Sequence, residues 1–158
     1  MSEDDVDFAV AAYLEEGTWQ VQALPRRAAT DFDDLVRALR PWPADAGALG
    51  LVAVDEDYFV LVRVRGEHVD ALLSDVTAAT EWPLASGVLD LLDLPDPDDD
   101  DDPQPAGNLG VVSDLGMSPI ELALLIDADS YPDEVLTAVA SQIGFGSQFD
   151  AAVESVTA

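Results

Sequence analysis

Five consecutive aspartates, Asp98, Asp99, Asp100, Asp101 and Asp102, are the densest block of titratable groups in the chain. Carboxylates so close together repel one another, and a cation or a cationic surface relieves that repulsion. Asp96, Asp98 and Asp100 stand where the first three ligands of an EF-hand loop would stand. The sixth position of such a loop needs a glycine for its sharp turn, and Asp101 is there. The twelfth needs a bidentate glutamate, and Gly107 is there. The spacing predicts loose attraction of divalent ions and no built metal site.

Other candidate chemistry is sparse. His68 is the only histidine, and a general base needs a group to orient it, for which only Glu67 and Asp70 are near in sequence. No serine occupies a nucleophile-elbow pattern, and no glycine loop follows a strand in a phosphate-binding arrangement. Asp55, Asp57 and Asp70 are carboxylates that an acid–base enzyme could use, but acids are so frequent here that a chance pair carries little meaning. The residues thus name no catalytic side chain and no cofactor. Arg63 and Arg65 share one side of a strand and could grip a partner's carboxylates bidentately, or pair with this protein's own acids.

The charge is placed unevenly along the 158 residues. All six basic residues are arginines before position 66, and residues 93–158 carry fifteen acids and no base. The formal net charge is −27. A surface of this sign repels phosphate and anionic lipid, which argues against direct binding of nucleic acid or membrane. GC-rich coding, or adaptation to high salt, would also produce a chain without lysine. With no cysteine there are no disulfides, thiolate metal sites or cysteine nucleophiles. The N-terminus is acidic where a secretory signal would be basic, and no run reaches the roughly 20 apolar residues of a membrane span. A cytoplasmic protein is expected.

Periodicity supplies the elements that would hold these groups. Residues 6–14 read as a strand buried on both faces, and residues 18–24 as a half-exposed partner across a turn at Gly17. Phe32, Leu35, Val36 and Leu39 form one apolar helix face behind a cap at Thr30 or Asp31. Residues 49–54, 58–65 and 68–74 are three further strands. A short helix follows Asp75, and another covers residues 84–92. Prolines flank the aspartate run and deny it a helix. Ser118-Pro119-Ile120-Glu121 opens a helix to Asp127, residues 130–143 hold a second, and a third runs from Gly146 or Ser147 to Ser155.

This order predicts an α+β fold: a mainly antiparallel five-stranded sheet with one or two packed helices on one face. It divides as 1–92 for the sheet domain, 93–107 for the acidic linker and 108–158 for a helical region whose members pack on one another. Trp42 and Trp82, each beside a proline, are expected to cover the core from loops.

The order of short motifs resembles a known family. Trp19 in the opening strand pair, Phe32-Asp33-Asp34-Leu35, the strand from Tyr58 to Val64 and Leu73-Ser74-Asp75-Val76 make up its first half. The central acidic run and Asp114-Leu115-Gly116-Met117 before short helices complete it. Over residues 6 to 155 the chain resembles the actinobacterial tRNA adenosine deaminase-associated proteins. The resemblance implies genes found beside a tRNA adenosine deaminase gene, and it brings no activity and no catalytic residues. The chain is not itself a zinc deaminase, because that chemistry draws ligands from cysteine.

The function expected is that of a non-enzymatic accessory protein binding another protein, either a tRNA adenosine deaminase or a factor working with it. The run Asp98 to Asp102 would act there as a crude phosphate mimic on the enzyme's cationic surface, with Arg63 and Arg65 as further contacts. A second reading is a small-molecule-binding regulatory module, recognisable by a pocket between the sheet and the C-terminal helices. A carboxylate-dependent enzyme is the third.

Overall fold

Val6–Glu15 (β1) and Thr18–Ala23 (β2) form an antiparallel hairpin in which Glu15 faces Thr18. Glu16 and Gly17 are left as a two-residue turn with φ of 51° and 79°. Positive φ at both positions gives the turn the twist of the flanking strands, and glycine takes the second without steric cost. The computed structural model describes residues 6–40, 47–55, 57–65, 68–95, 97, 102, 104–128 and 130–157.

After the hairpin the chain crosses one face of the sheet as a helix. The Asp31 carboxylate accepts hydrogen bonds from the backbone N–H groups of Asp33 (2.9 Å) and Asp34 (3.4 Å), capping Phe32–Leu39 (α1). The four apolar residues of its periodic face, Phe32, Leu35, Val36 and Leu39, are all buried. Each such burial is worth about 1.5–3 kcal/mol, which outweighs the weak intrinsic stability of so short a helix.

Ala48–Val54 (β3) then pairs with the free side of β1, and Tyr58–Arg65 (β4) and His68–Leu73 (β5) extend the sheet by successive antiparallel pairings. Pro83–Leu92 (α2) packs beside α1, where Gly87 lets the two helices approach closely at Phe32. Three C-terminal helices follow: Pro119–Asp127 (α3), Pro132–Ile143 (α4) and Gly146–Thr157 (α5).

Among the described residues the sheet has six strands, not the five expected. Ala106–Gly107 (β6) pairs with Leu73 and Leu72, giving the order β2-β1-β3-β4-β5-β6. Backbone hydrogen bonds flank this pair, from Asn108 N–H to Ala71 O on β5 (3.0 Å) and from Val76 N–H, in the turn after β5, to Gln104 O (2.8 Å). Two residues beside a proline-rich run show no alternation, so periodicity has nothing to detect there.

The expectation of helices on one face is also corrected. Two separate cores lie on opposite faces of the sheet. The first joins α1 and α2 to Val52, Tyr58, Val60 and Val62. The second joins α4 and the start of α5 to Val10, Leu51, Phe59 and Leu61. Phe8 on β1 meets Phe149 on α5 edge to face at 5.6 Å, and Trp19 on β2 lies 4.8 Å from Phe145. The C-terminal helices therefore close the second face of the sheet in addition to packing on each other. Every residue of β3 is buried, as a strand covered on both sides requires.

Candidate functional site

Arg63 and Arg65 alternate onto the second face of β4, but they have different surroundings. Arg63 is 1% exposed, and its guanidinium donates to both carboxylate oxygens of Asp114 (2.7 and 3.0 Å) and to the backbone oxygen of Val111 (3.1 Å). Arg65 is half-exposed and reaches the same carboxylate at 4.0 Å. Asp114 sits in the short turn Ser113–Leu115, and the hydrogen bond from Arg63 holds its carboxyl below the usual carboxylate range, with the charges of Arg63 and Arg65 adding to that. Of the two arginines, only Arg65 presents a cation at the surface.

Asp98, Asp99, Asp100 and Asp101 lie outside the described residues, as do Asp96 and Trp42; Asp102 is exposed. His68 is exposed at the start of β5, opposite Arg65. Asp70 accepts from the Ala71 N–H (3.1 Å) and from the Asn108 side-chain amide, which ties the sheet to the chain leaving β6. Trp82 is buried at the start of α2, 6.0 Å from the ring of Tyr58.

A cleft of about 340 Å³ opens at one end of the sheet, between the strand ends and the α3–α4 connection. Asp57 enters it from the β3–β4 turn and Phe59 from β4, with Ser74 and Asp75 just past the end of β5. Ile126, Ser130, Tyr131, Pro132 and Val135 close the other side. Ser74 is fixed by hydrogen bonds in both directions with the backbone of Phe59 (2.9 and 3.1 Å). One oxygen of Asp75 caps the next turn by accepting from the N–H (2.9 Å) and hydroxyl (2.6 Å) of Thr77. The lining thus combines two carboxylates with an apolar wall and contains no base.

Partial burial raises the Asp57 carboxyl above its ordinary value, and the charges of Asp75, Glu81 and Asp55 push it further. The buried Trp82 indole N–H lies on the Asp57 side and slightly offsets this, although it makes no hydrogen bond of good geometry. The Tyr58 hydroxyl is likewise buried without an acceptor; burial, and secondarily the Asp57 charge, raise its pKa. Such a cleft suits a cationic group on an apolar stem and disfavours anions. Of its lining residues only Asp57 stands out in the sequence as functional chemistry, because the two walls are some fifty to eighty residues apart in the chain.

A second feature lies on α3. Its capping box is complete: the Ser118 hydroxyl accepts from the Glu121 N–H (3.2 Å), and the Glu121 carboxylate accepts from the Ser118 N–H (3.3 Å). Apolar residues surround this helix on every side. Leu122 is buried and Leu125 and Ile126 pack on the second core, yet Ile120 is 73% exposed and Leu124 63%. No helix among the described residues is long and apolar enough to cross a membrane.

Comparison with known sequences adds the following. The profile of the family described as Rv3753c-like tRNA adenosine deaminase-associated protein matches residues 7–146. Protein Rv3753c of Mycobacterium tuberculosis is 37% identical over 151 residues, covering 93% of this chain and 87% of that protein. No solved structure matches.

Proposed function

The chain belongs to the Rv3753c-like tRNA adenosine deaminase-associated protein family, and from that premise we propose that it is a non-enzymatic accessory protein whose partner is a tRNA adenosine deaminase. The observation that carries this reading is the charge: −27 in total, with fifteen acids and no base after residue 92. An enzyme that holds tRNA must offer the polyanion a cationic surface. An acidic protein is drawn to that surface, where the charge of Asp98 to Asp102 competes with phosphate for the same cationic field, and the exposed guanidinium of Arg65 is offered to the partner's carboxylates. The place of action is the cytoplasm. The chain supplies no chemistry of its own to the deamination, because it has no cysteine to ligate zinc.

Affinity between this protein and the deaminase encoded in the same genome, measured at 20 and 300 mM NaCl, tests the reading. Binding is expected at low salt and should weaken at least tenfold, on the order of what screening removes from exposed charge pairs. Added tRNA should compete. No association at 20 mM, or an affinity indifferent to salt, would overturn it.

The cleft supports a second reading, a regulatory module for a small molecule. About 340 Å³ is at the lower end of ligand-pocket size, and its carboxylates select a cationic ligand. Thermal-shift measurements with small amines and their uncharged analogues separate the two: stabilisation by the amines alone, abolished in Asp57→Asn, favours the module.

A further inference from the structure

We propose that the outward face of α3, centred on Ile120 and Leu124, is the surface that docks on the basic protein partner. This rests on the accessory-protein reading and adds to it the place of contact. A helix apolar on all sides is normally covered on all sides. Here the protein's own core covers Leu122, Leu125 and Ile126 and leaves Ile120 and Leu124, one helical turn apart, at 73% and 63% exposure. Leaving two such anchors in water is unfavourable, and a buried aliphatic pair inside a charged rim is the usual anatomy of a contact centre.

The charge around these anchors decides what covers them. Glu121 and Asp127 flank them on α3, both exposed, and residues 108–158 contain eight acids and no base. A second copy would bring the same acids face to face across a two-fold axis. The aspartate run of this chain is equally excluded, being acidic and lacking apolar side chains. The occupant that fits is a protein with an apolar depression bordered by arginine or lysine. The apolar centre would set the lifetime of the complex, and the acidic rim its rate of formation.

The test is the affinity of the double variant Ile120→Ser, Leu124→Ser for the purified deaminase at 20 mM NaCl, alongside the wild type. Both positions are exposed and serine is only slightly the poorer helix former, so the variant should melt close to the wild-type temperature. The expected result is an affinity loss of roughly twentyfold or more, mostly in the dissociation rate, with the conservative pair Ile120→Val, Leu124→Met restoring binding. If the wild type binds and the serine variant binds equally well, this inference falls while the accessory reading stands. If the wild type does not bind at all, both fall. A wild-type dimer in sedimentation that the serine variant disperses would make a second copy the occupant, which also overturns the inference.

Discussion

The buried guanidinium of Arg63 on β4 is held by both carboxylate oxygens of Asp114, 51 residues further along the chain, at 2.7 and 3.0 Å. The pair joins the sheet to the turn that leads into the C-terminal helices, and its two ends lie in different surroundings. Arg63 is 1% exposed, whereas the Asp114 side chain is half in water.

That asymmetry predicts unequal losses. Asp114→Ala removes the carboxylate that neutralises the buried Arg63 guanidinium and leaves it the Val111 carbonyl, and breaking such a pair costs about 3 kcal/mol. Arg63→Met replaces the charge with an apolar stem of similar reach and releases a carboxylate that water can solvate. Its cost should stay below about 1.5 kcal/mol. The double variant should match Arg63→Met alone. Urea unfolding of the three proteins checks this, and equal single-variant losses would contradict it.

Acid should act on the same pair in a definite direction. The folded Asp114 carboxyl titrates below its ordinary value of 3.8. Its stabilisation is therefore present above the unfolded value and lost as pH falls through the lower folded one. Asp57 has the opposite sign. Its folded pKa is raised, so ionisation there disfavours the folded state at neutral pH and protonation relieves it. Asp57→Asn should accordingly raise stability at pH 7 by a small amount, about 0.5 kcal/mol or less for a position this exposed. The gain should shrink toward pH 4, which thermal melts across that range will show.

Much of this architecture is legible in the residues. Asp31 and Ser118 announce their helices because an N-cap is a local event, and the alternation in β4 separates Tyr58, Val60 and Val62 from Phe59, Leu61 and Arg63 onto the faces they occupy. The second covering layer was legible in principle: a strand such as Ala48–Val54, apolar at every position, cannot leave one face in water. β6 was not, since two residues carry no period. The cleft was illegible for a different reason. Asp57, Asp75 and Tyr131 converge only through the sheet register and the docking of α4, which no local pattern encodes. The exposure of Ile120 and Leu124 is equally a tertiary outcome, because the sequence of α3 looks like that of a buried helix.

Gly87 offers a test of the packing between α1 and α2. A Cβ there would collide with the Cβ of Phe32 and sit 3.2 Å from its Cγ. Alanine in a helix gains about 1 kcal/mol over glycine. Overpacking costs about 1–3 kcal/mol and involves a side-chain base that cannot swing away. Gly87→Ala should therefore be net destabilising by about 1 kcal/mol, seen as a lower urea midpoint with an unchanged slope. A higher midpoint would mean that the two helices separate readily.

The aspartate run is open to a kinetic test that separates steering from contact. Replacing Asp98 to Asp102 with asparagine removes five of the 27 net negative charges while keeping side-chain size. If the run draws the protein to a cationic partner, the association rate at 20 mM NaCl should fall severalfold and its dependence on salt should flatten. The dissociation rate should change little, because exposed steering charges contribute mainly to encounter. A dissociation rate raised as strongly as the association rate is lowered would instead place the aspartates in direct contact with the partner. Unchanged rates in both directions would remove the run from recognition altogether and leave its acidity to solubility.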